Sequence, residues 1–132
     1  MEHDSRHLAV HIDRPAAEVY AYAADPANLP SWAAGLADAA MTQVDGVWIA
    51  SSPMGPVEVA FAPTNDYGVL DHEVRLPDGE VVLNPMRVVP EGEGAEVVFT
   101  LRRRGMSDAE FDADAATVRA DLARLRTVLT EG

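Results

Sequence analysis

His72 and Asn84 are the residues whose types and spacing best suit chemistry at a sheltered site. Along Leu70 to Leu76, strand alternation directs Leu70, His72, Val74 and Leu76 to one face and Asp71, Glu73 and Arg75 to the other, so the histidine shares an apolar face. On the next segment the inner set is Val82, Asn84, Met86 and Val88, because the other register would turn Arg87 inward, and this puts Asn84 near His72. Histidine can accept or donate a proton near neutral pH, and a carboxamide can orient a carbonyl. Two readings stay open: the pair binds a polar group of a ligand, or the two side chains satisfy each other, the backbone or buried water. Asp71 and Glu73 read as solvent-side charge and not as a catalytic pair.

Other chemical constellations are thinner. His3, His7 and His11 recur every four residues, which on a helix would suggest a metal site. On a strand, positions four apart lie about 13 Å from one another, too far for imidazoles that must each come within about 2.1 Å of one zinc. No metal is expected. Arg102, Arg103 and Arg104 form the one basic cluster; they either clamp a ligand anion at a cavity mouth or pair with Asp108, Glu110 and Asp112 in solvent. Ser51 and Ser52 lack the Gly-x-Ser-x-Gly setting, and there is no glycine-rich phosphate loop, so hydrolase and nucleotide chemistry are unsupported and no cofactor is expected. The absence of cysteine removes disulfides, thiolate nucleophiles and iron–sulfur clusters.

Composition bounds the partners. The chain has 132 residues, a formal net charge of −12, and ten basic residues that are all arginine against 22 carboxylates. Such a surface repels a phosphate backbone, so nucleic acid is not expected. No apolar run is long enough to span a bilayer, and Met1 to Arg6 does not resemble a signal peptide, giving a cytoplasmic expectation. With 48% hydrophobic residues and this length, one domain covering 1–132 is expected.

The elements that must hold these side chains are readable. Leu8, Val10 and Ile12 alternate with His7 and His11, which predicts a first strand. Asp13 as a cap and Pro15 in a first turn predict a short helix to Ala24, and Asp25-Pro26 with Pro30 predicts another short one around Trp32. From Ala39 to Arg103, five turn signals (Asp45-Gly46, Met54-Gly55-Pro56, Asn65 to Gly68, Pro77-Asp78-Gly79 and Glu91 to Gly94) separate about six strands, expected as an antiparallel meander. With the first strand the sheet has about seven. Ser107 and Glu110 form a capping box, and Phe111, Ala115, Val118, Leu122, Leu125 and Leu129 draw a stripe at helical spacing down a long terminal helix.

This order closes a core by curling the sheet around the last helix, an α+β helix-grip arrangement with two short helices after the first strand. The wording of the chain agrees. Arg14-Pro15, Glu18-Val19-Tyr20, Ala24-Asp25-Pro26, Asn28-Leu29-Pro30 and Trp32 resemble the opening of the SRPBCC superfamily, the START-like, birch-pollen-allergen-like proteins that include polyketide cyclase/dehydrase-type members. The likeness continues through Ser52-Pro53-Met54-Gly55, Leu76-Pro77-Asp78-Gly79-Glu80 and Asn84-Pro85-Met86-Arg87-Val88 to Gly105-Met106-Ser107. It departs at Arg104, where a proline commonly stands. The superfamily carries many functions on one scaffold, so the resemblance implies a fold and a cavity but no catalytic residue.

A dry apolar cavity of about 300 Å³ would cost roughly 7 kcal/mol, comparable with the net stability of a domain. The implied cavity is therefore expected to be liganded, wetted or collapsed. Trp32, Trp48, Met54, Phe61, Met86, Met106 and Phe111 are candidates either to line or plug it or to be plain core; Ala115 is the small residue that leaves room, while Val118 and Leu122 fill it. Three functions follow as expectations. The first is binding of a small hydrophobic molecule, aromatic or lipid-like, by Trp32, Trp48, Met54, Phe61, His72, Asn84, Met86, Phe111, Ala115 and Val118. The second is a cyclase or dehydratase using His72 as acid or base. The third is a protein-interaction module with a collapsed cavity.

Overall fold

The computed structural model describes residues 4–34, 36–37 and 40–131. β1 (Ser5–Ile12) buries Leu8 and Ile12 as its alternation requires. The chain then turns into α1 (Ala16–Ala23), whose N-cap is Pro15 itself with no side-chain cap, so the capping role expected of Asp13 is not realised. Asp25 does cap the next turn: its carboxylate accepts the Ala27 N–H at 3.0 Å and opens a 3-10 turn over Pro26–Asn28 that runs into α2 (Leu29–Trp32).

Next come β2 (Thr42–Val44), β3 (Val47–Ser52), β4 (Gly55–Phe61), β5 (His72–Arg75) and β6 (Val81–Asn84), each from β3 onward pairing antiparallel with the one before. Ala39, where the meander was expected to begin, lies outside the described residues. Asp45 and Gly46 both have positive φ, the geometry that matches a two-residue turn to the twist of its strands.

Two expectations about the sheet need correction. Val82 to Val88 is not one strand, and the strands do not form one seven-stranded meander. Pro85 has no N–H to donate to a ladder, and there the chain leaves β6 and starts β7 (Met86–Glu91). β7 pairs with β8 (Gly94–Arg102), which pairs with β1, so eight strands make a five-stranded sheet β2-β3-β4-β5-β6 and a three-stranded sheet β1-β8-β7.

The segment before β5 runs alongside β7 and ties the sheets together. Leu70 N–H donates to Met86 O, and Val88 N–H to Gly68 O, both at 2.9 Å. Asp71, expected to be plain solvent charge, belongs to this seam: its carboxylate accepts the Met86 N–H at 2.9 Å and pairs with the Arg87 guanidinium. Gly68 is held at φ +71 with Val88 O only 2.1 Å from where a Cβ would stand.

α3 (Asp108–Glu131) opens with the expected capping box. Ser107 Oγ accepts the Glu110 N–H at 3.2 Å, and the Glu110 carboxylate accepts the Ser107 N–H at 2.8 Å. Those bonds, backbone first, hold the Glu110 carboxyl below its ordinary range. The helix packs on β1, β8 and α2, burying Phe111, Ala115, Leu122 and Leu125. Its far end is tied back by Arg14, whose Nε–H donates to Leu129 O at 2.9 Å.

The arginine cluster divides. Arg103 pairs with Asp108 at 2.8 Å and Asp4 at 3.4 Å and lies over the Phe111 ring, while Arg104 reaches Glu80 at 3.3 Å. Asp112, expected to meet this cluster, pairs instead with Arg6 at 2.7 Å, and Glu110 is occupied by its own cap.

Candidate functional site

A cavity of about 200 Å³ opens between α3, α2 and the inner face of the strands. Its floor follows from register: His72 lies opposite Asn84 and Val74 opposite Val82 on β5 and β6, and since period two puts His72 and Val74 on one face, all four point together. Leu76, Phe99 and Leu101 complete the floor. Leu29, Trp32, Ala33 and Leu36 form one wall, where Pro30 and the short turns fold the chain tightly enough to present Trp32. The roof is one side of α3, where Asp114, Thr117, Val118, Asp121 and Leu122 recur at helical spacing beside the buried stripe.

His72 is the most enclosed polar side chain of the site. Its ring lies between Phe61 and Phe99, with centroids 5.0 and 6.0 Å away. Nδ1 is 3.0 Å from Leu70 O. A carbonyl can only accept, so Nδ1 carries the proton and Nε2 is left as the acceptor. Burial pushes the His72 pKa down from 6.5, outweighing the opposing influence of the Leu70 carbonyl and the Asp71 charge, so the neutral imidazole prevails at neutral pH. The histidine therefore bonds to the backbone just ahead of β5 and not to Asn84.

Polar groups mark one side of the cavity. Asp114 has its carboxyl pushed up by burial, partly offset by Arg104. Arg104 sits at φ +54, a conformation closed to proline. Trp32 is buried and its indole N–H has no hydrogen-bond partner among the described residues.

Of the residues singled out in the sequence, Trp32, Met54, His72, Asn84, Arg104, Val118 and Leu122 border this cavity, Met54 from an exposed turn. Trp48 and Phe61 border a separate recess of about 460 Å³ with Val47, Glu58 and Glu73. Met86 and Ala115 are buried in the core away from the cavity wall, and Phe111 is covered by the Arg6 and Arg103 guanidiniums at 4.3 and 4.9 Å from its ring. The space expected over Ala115 opens instead beside Val118 and Thr117. The polar side of α3 was missed; the recurrence of Asp114, Thr117 and Asp121 at three and four residues was its available signal. His7 bonds to Thr100 at 3.0 Å and His11 to Glu91 at 2.6 Å; His3 lies outside the described residues.

A long terminal helix held over antiparallel strands, with a mainly apolar recess beneath it, defines a helix-grip protein of the SRPBCC, birch-pollen-allergen-like class. The chain belongs to the family described as polyketide cyclase / dehydrase and lipid transport, whose model matches residues 6–130. Among curated proteins no match was found. Solved structures share the fold at low identity. The allergen Ara h 8.0201 is 13% identical with a TM-score of 0.71, covering 98% of this chain and 99% of its own. DR_A0006 from Deinococcus radiodurans is 22% identical with a TM-score of 0.67 over 98% and 99%. XoxI from Bacillus cereus is 14% identical with a TM-score of 0.71 over 94% of each chain. No described helix is long and apolar enough to cross a membrane.

Proposed function

We propose that the protein binds a small, single-ring hydrophobic molecule in the cavity beneath α3. The observation that carries this is the recess of about 200 Å³ walled mostly by aliphatic and aromatic side chains. Water in a mainly apolar recess that opens to solvent finds few hydrogen-bond partners, so an apolar occupant that displaces it is favoured. For scale, an engineered apolar cavity of about 150 Å³ accommodates benzene. A ligand of about ten non-hydrogen atoms fits that scale, whereas a long acyl chain or a fused polycycle would require the helix to lift. This favours the aromatic over the lipid-like form of the reading, and an open recess favours a ligand over an interaction module with a filled interior. A cysteine-free acidic chain suits such a role in the cytoplasm.

The test is thermal unfolding with a panel of one-ring apolar compounds, alongside native mass spectrometry of freshly purified protein. Binding raises the melting temperature, and Val118→Trp, which fills the cavity from α3, removes the rise. A panel without any shift and a protein that retains no ligand would overturn the reading.

One observation supports a second reading. A neutral His72 with its Nε2 lone pair available and Asn84 directly opposite suits proton removal next to a carbonyl held by the amide, as a cyclase or dehydratase would use. In that case a His72→Ala variant loses turnover of a genuine substrate by about a hundredfold or more, the usual scale for a general base.

A further inference from the structure

His72 and Asn84 leave hydrogen-bonding capacity unmet on the cavity floor. The His72 Nδ1–H is committed to Leu70 O, so Nε2 can only accept, and neither Nε2 nor the Asn84 carboxamide has a hydrogen-bond partner among the described residues. Both groups stay within reach of the cavity they border. Among the described residues, the side-chain polar atoms sealed away without a partner are Trp32 Nε1 and Arg103 Nε, and these belong to neither His72 nor Asn84.

Register sets the two side chains opposite each other on β5 and β6, which brings their Cβ atoms to about 5 Å. One atom that both donates and accepts can then serve both. A hydroxyl does this: its hydrogen goes to Nε2 and its lone pair takes an Asn84 Nδ2–H, whereas a carbonyl oxygen satisfies only the amide N–H and an ammonium has nothing to accept it. Charge is kept off this floor. The charged residues that border the cavity, Arg104, Asp114 and Asp121, lie on α3 and the turn before it. Arg104 is 3.3 Å from Glu80, Asp121 is 3.4 Å from Arg124, and Asp114 feels the Arg104 charge, so each already meets an opposite charge from the protein. His72 itself is neutral, and the floor calls for a neutral partner. The Phe99 and Trp32 side chains around it suit an aromatic ring.

Resting on the ligand-binding reading above, we propose that the ligand is an un-ionised phenol whose hydroxyl donates to His72 Nε2 and accepts from the Asn84 amide, with its ring in the apolar part of the cavity. Near neutral pH a phenol, with a pKa of about 10, keeps the proton this requires.

The experiment compares p-cresol with p-xylene, in which a methyl replaces the hydroxyl, and with benzaldehyde, which carries an acceptor and no donor. Long-range ¹H–¹⁵N spectra of the wild type follow the His72 ring nitrogens, assigned by elimination through glutamine variants of the other histidines. p-Cresol moves the Nε2 resonance upfield, as a hydrogen bond to the imidazole lone pair does, and p-xylene and benzaldehyde do not. Titrations then give affinities. The ratio of p-cresol to p-xylene affinity falls roughly tenfold in His72→Phe, which keeps a ring between Phe61 and Phe99 and deletes the acceptor, and it falls in Asn84→Leu as well.

A ratio unchanged in both variants would overturn the proposal, as would an Nε2 resonance that responds alike to p-cresol and p-xylene, or tighter binding of benzaldehyde than of p-cresol. Should the variants fail to fold, the Nε2 resonance of the wild type decides alone. If none of the three compounds binds, the cavity reading falls and the phenol with it; if p-xylene binds and p-cresol leaves Nε2 unmoved, only the phenol does.

Discussion

His72 and Asn84 face each other across the β5–β6 ladder and both border the cavity, yet the histidine directs its Nδ1–H to Leu70 O. The bond to Leu70 O, just ahead of β5, fixes the ring's tautomer and makes Nε2 the acceptor. Pairing across adjacent strands brings opposite side chains to about 5 Å, close enough for one small ligand to touch both.

The buried neutral histidine makes stability sensitive to mild acid. Burial holds its folded pKa below 6.5, so below pH 6.5 the unfolded chain takes up a proton that the folded chain refuses. The contribution is complete above 6.5 and is lost as pH falls toward the folded value, with a limiting slope of about 1.4 kcal/mol per pH unit. Urea denaturation at pH 7.5, 6.5 and 5.5 will show wild type weakening more steeply than His72→Gln. Parallel curves for the two proteins would mean that the imidazole is not held neutral.

Asp114 works in the opposite direction. Burial, only partly countered by Arg104, raises its carboxyl above the ordinary 3.8, so the ionised form is disfavoured in the folded state at neutral pH. Asp114→Asn is expected to raise the melting temperature at pH 7. The gain shrinks as pH falls through the raised value toward 3.8, where the wild-type carboxyl becomes neutral as well. A lower melting temperature for the variant at pH 7 would contradict this.

The seam between the sheets depends on Gly68. An alanine there combines a left-handed backbone, costing about 1–2 kcal/mol for an L-residue, with a Cβ in hard overlap with Val88 O. Gly68→Ala is expected to cost more than about 3 kcal/mol, in the range reserved for strain and overpacking. Gly79 is the control: its φ is +93 but nothing lies within 4 Å of a Cβ, so Gly79→Ala bears the backbone cost alone. Similar denaturation midpoints for the two variants would show that the close approach at Val88 is relieved without penalty.

Much of this framework was legible beforehand because its signals are local. Alternation of Leu8, Val10 and Ile12, the Ser107 and Glu110 box, and the spacing from Phe111 to Leu129 each lie within a few residues and specify an element with a buried face. The division at Pro85 was also written locally, since a residue without an N–H cannot continue a ladder, but the apolar alternation from Val82 to Val88 overrode that mark. Asp71 reads as outward charge by alternation, and only the return of β7 beside it supplies the Met86 N–H and Arg87 that make it part of the seam.

By itself the sequence determined an α+β chain whose last helix must cover a sheet, and it put His72 and Asn84 on inward faces, because side-chain periodicity of 2 or 3.6 is a property of contiguous residues. Which side chains border one cavity was decided only in three dimensions. Trp32, His72 and Val118 come from segments far apart in the chain and meet through the spacing of α2, β5 and α3, so neither the volume of the recess nor the isolation of the Trp32 N–H is encoded in any single stretch. The same spacing buried Ala115 and Phe111 away from the cavity and opened it beside Asp114 and Thr117, because a helix stripe indicates what is covered and the rotation of the packed helix decides what borders the gap.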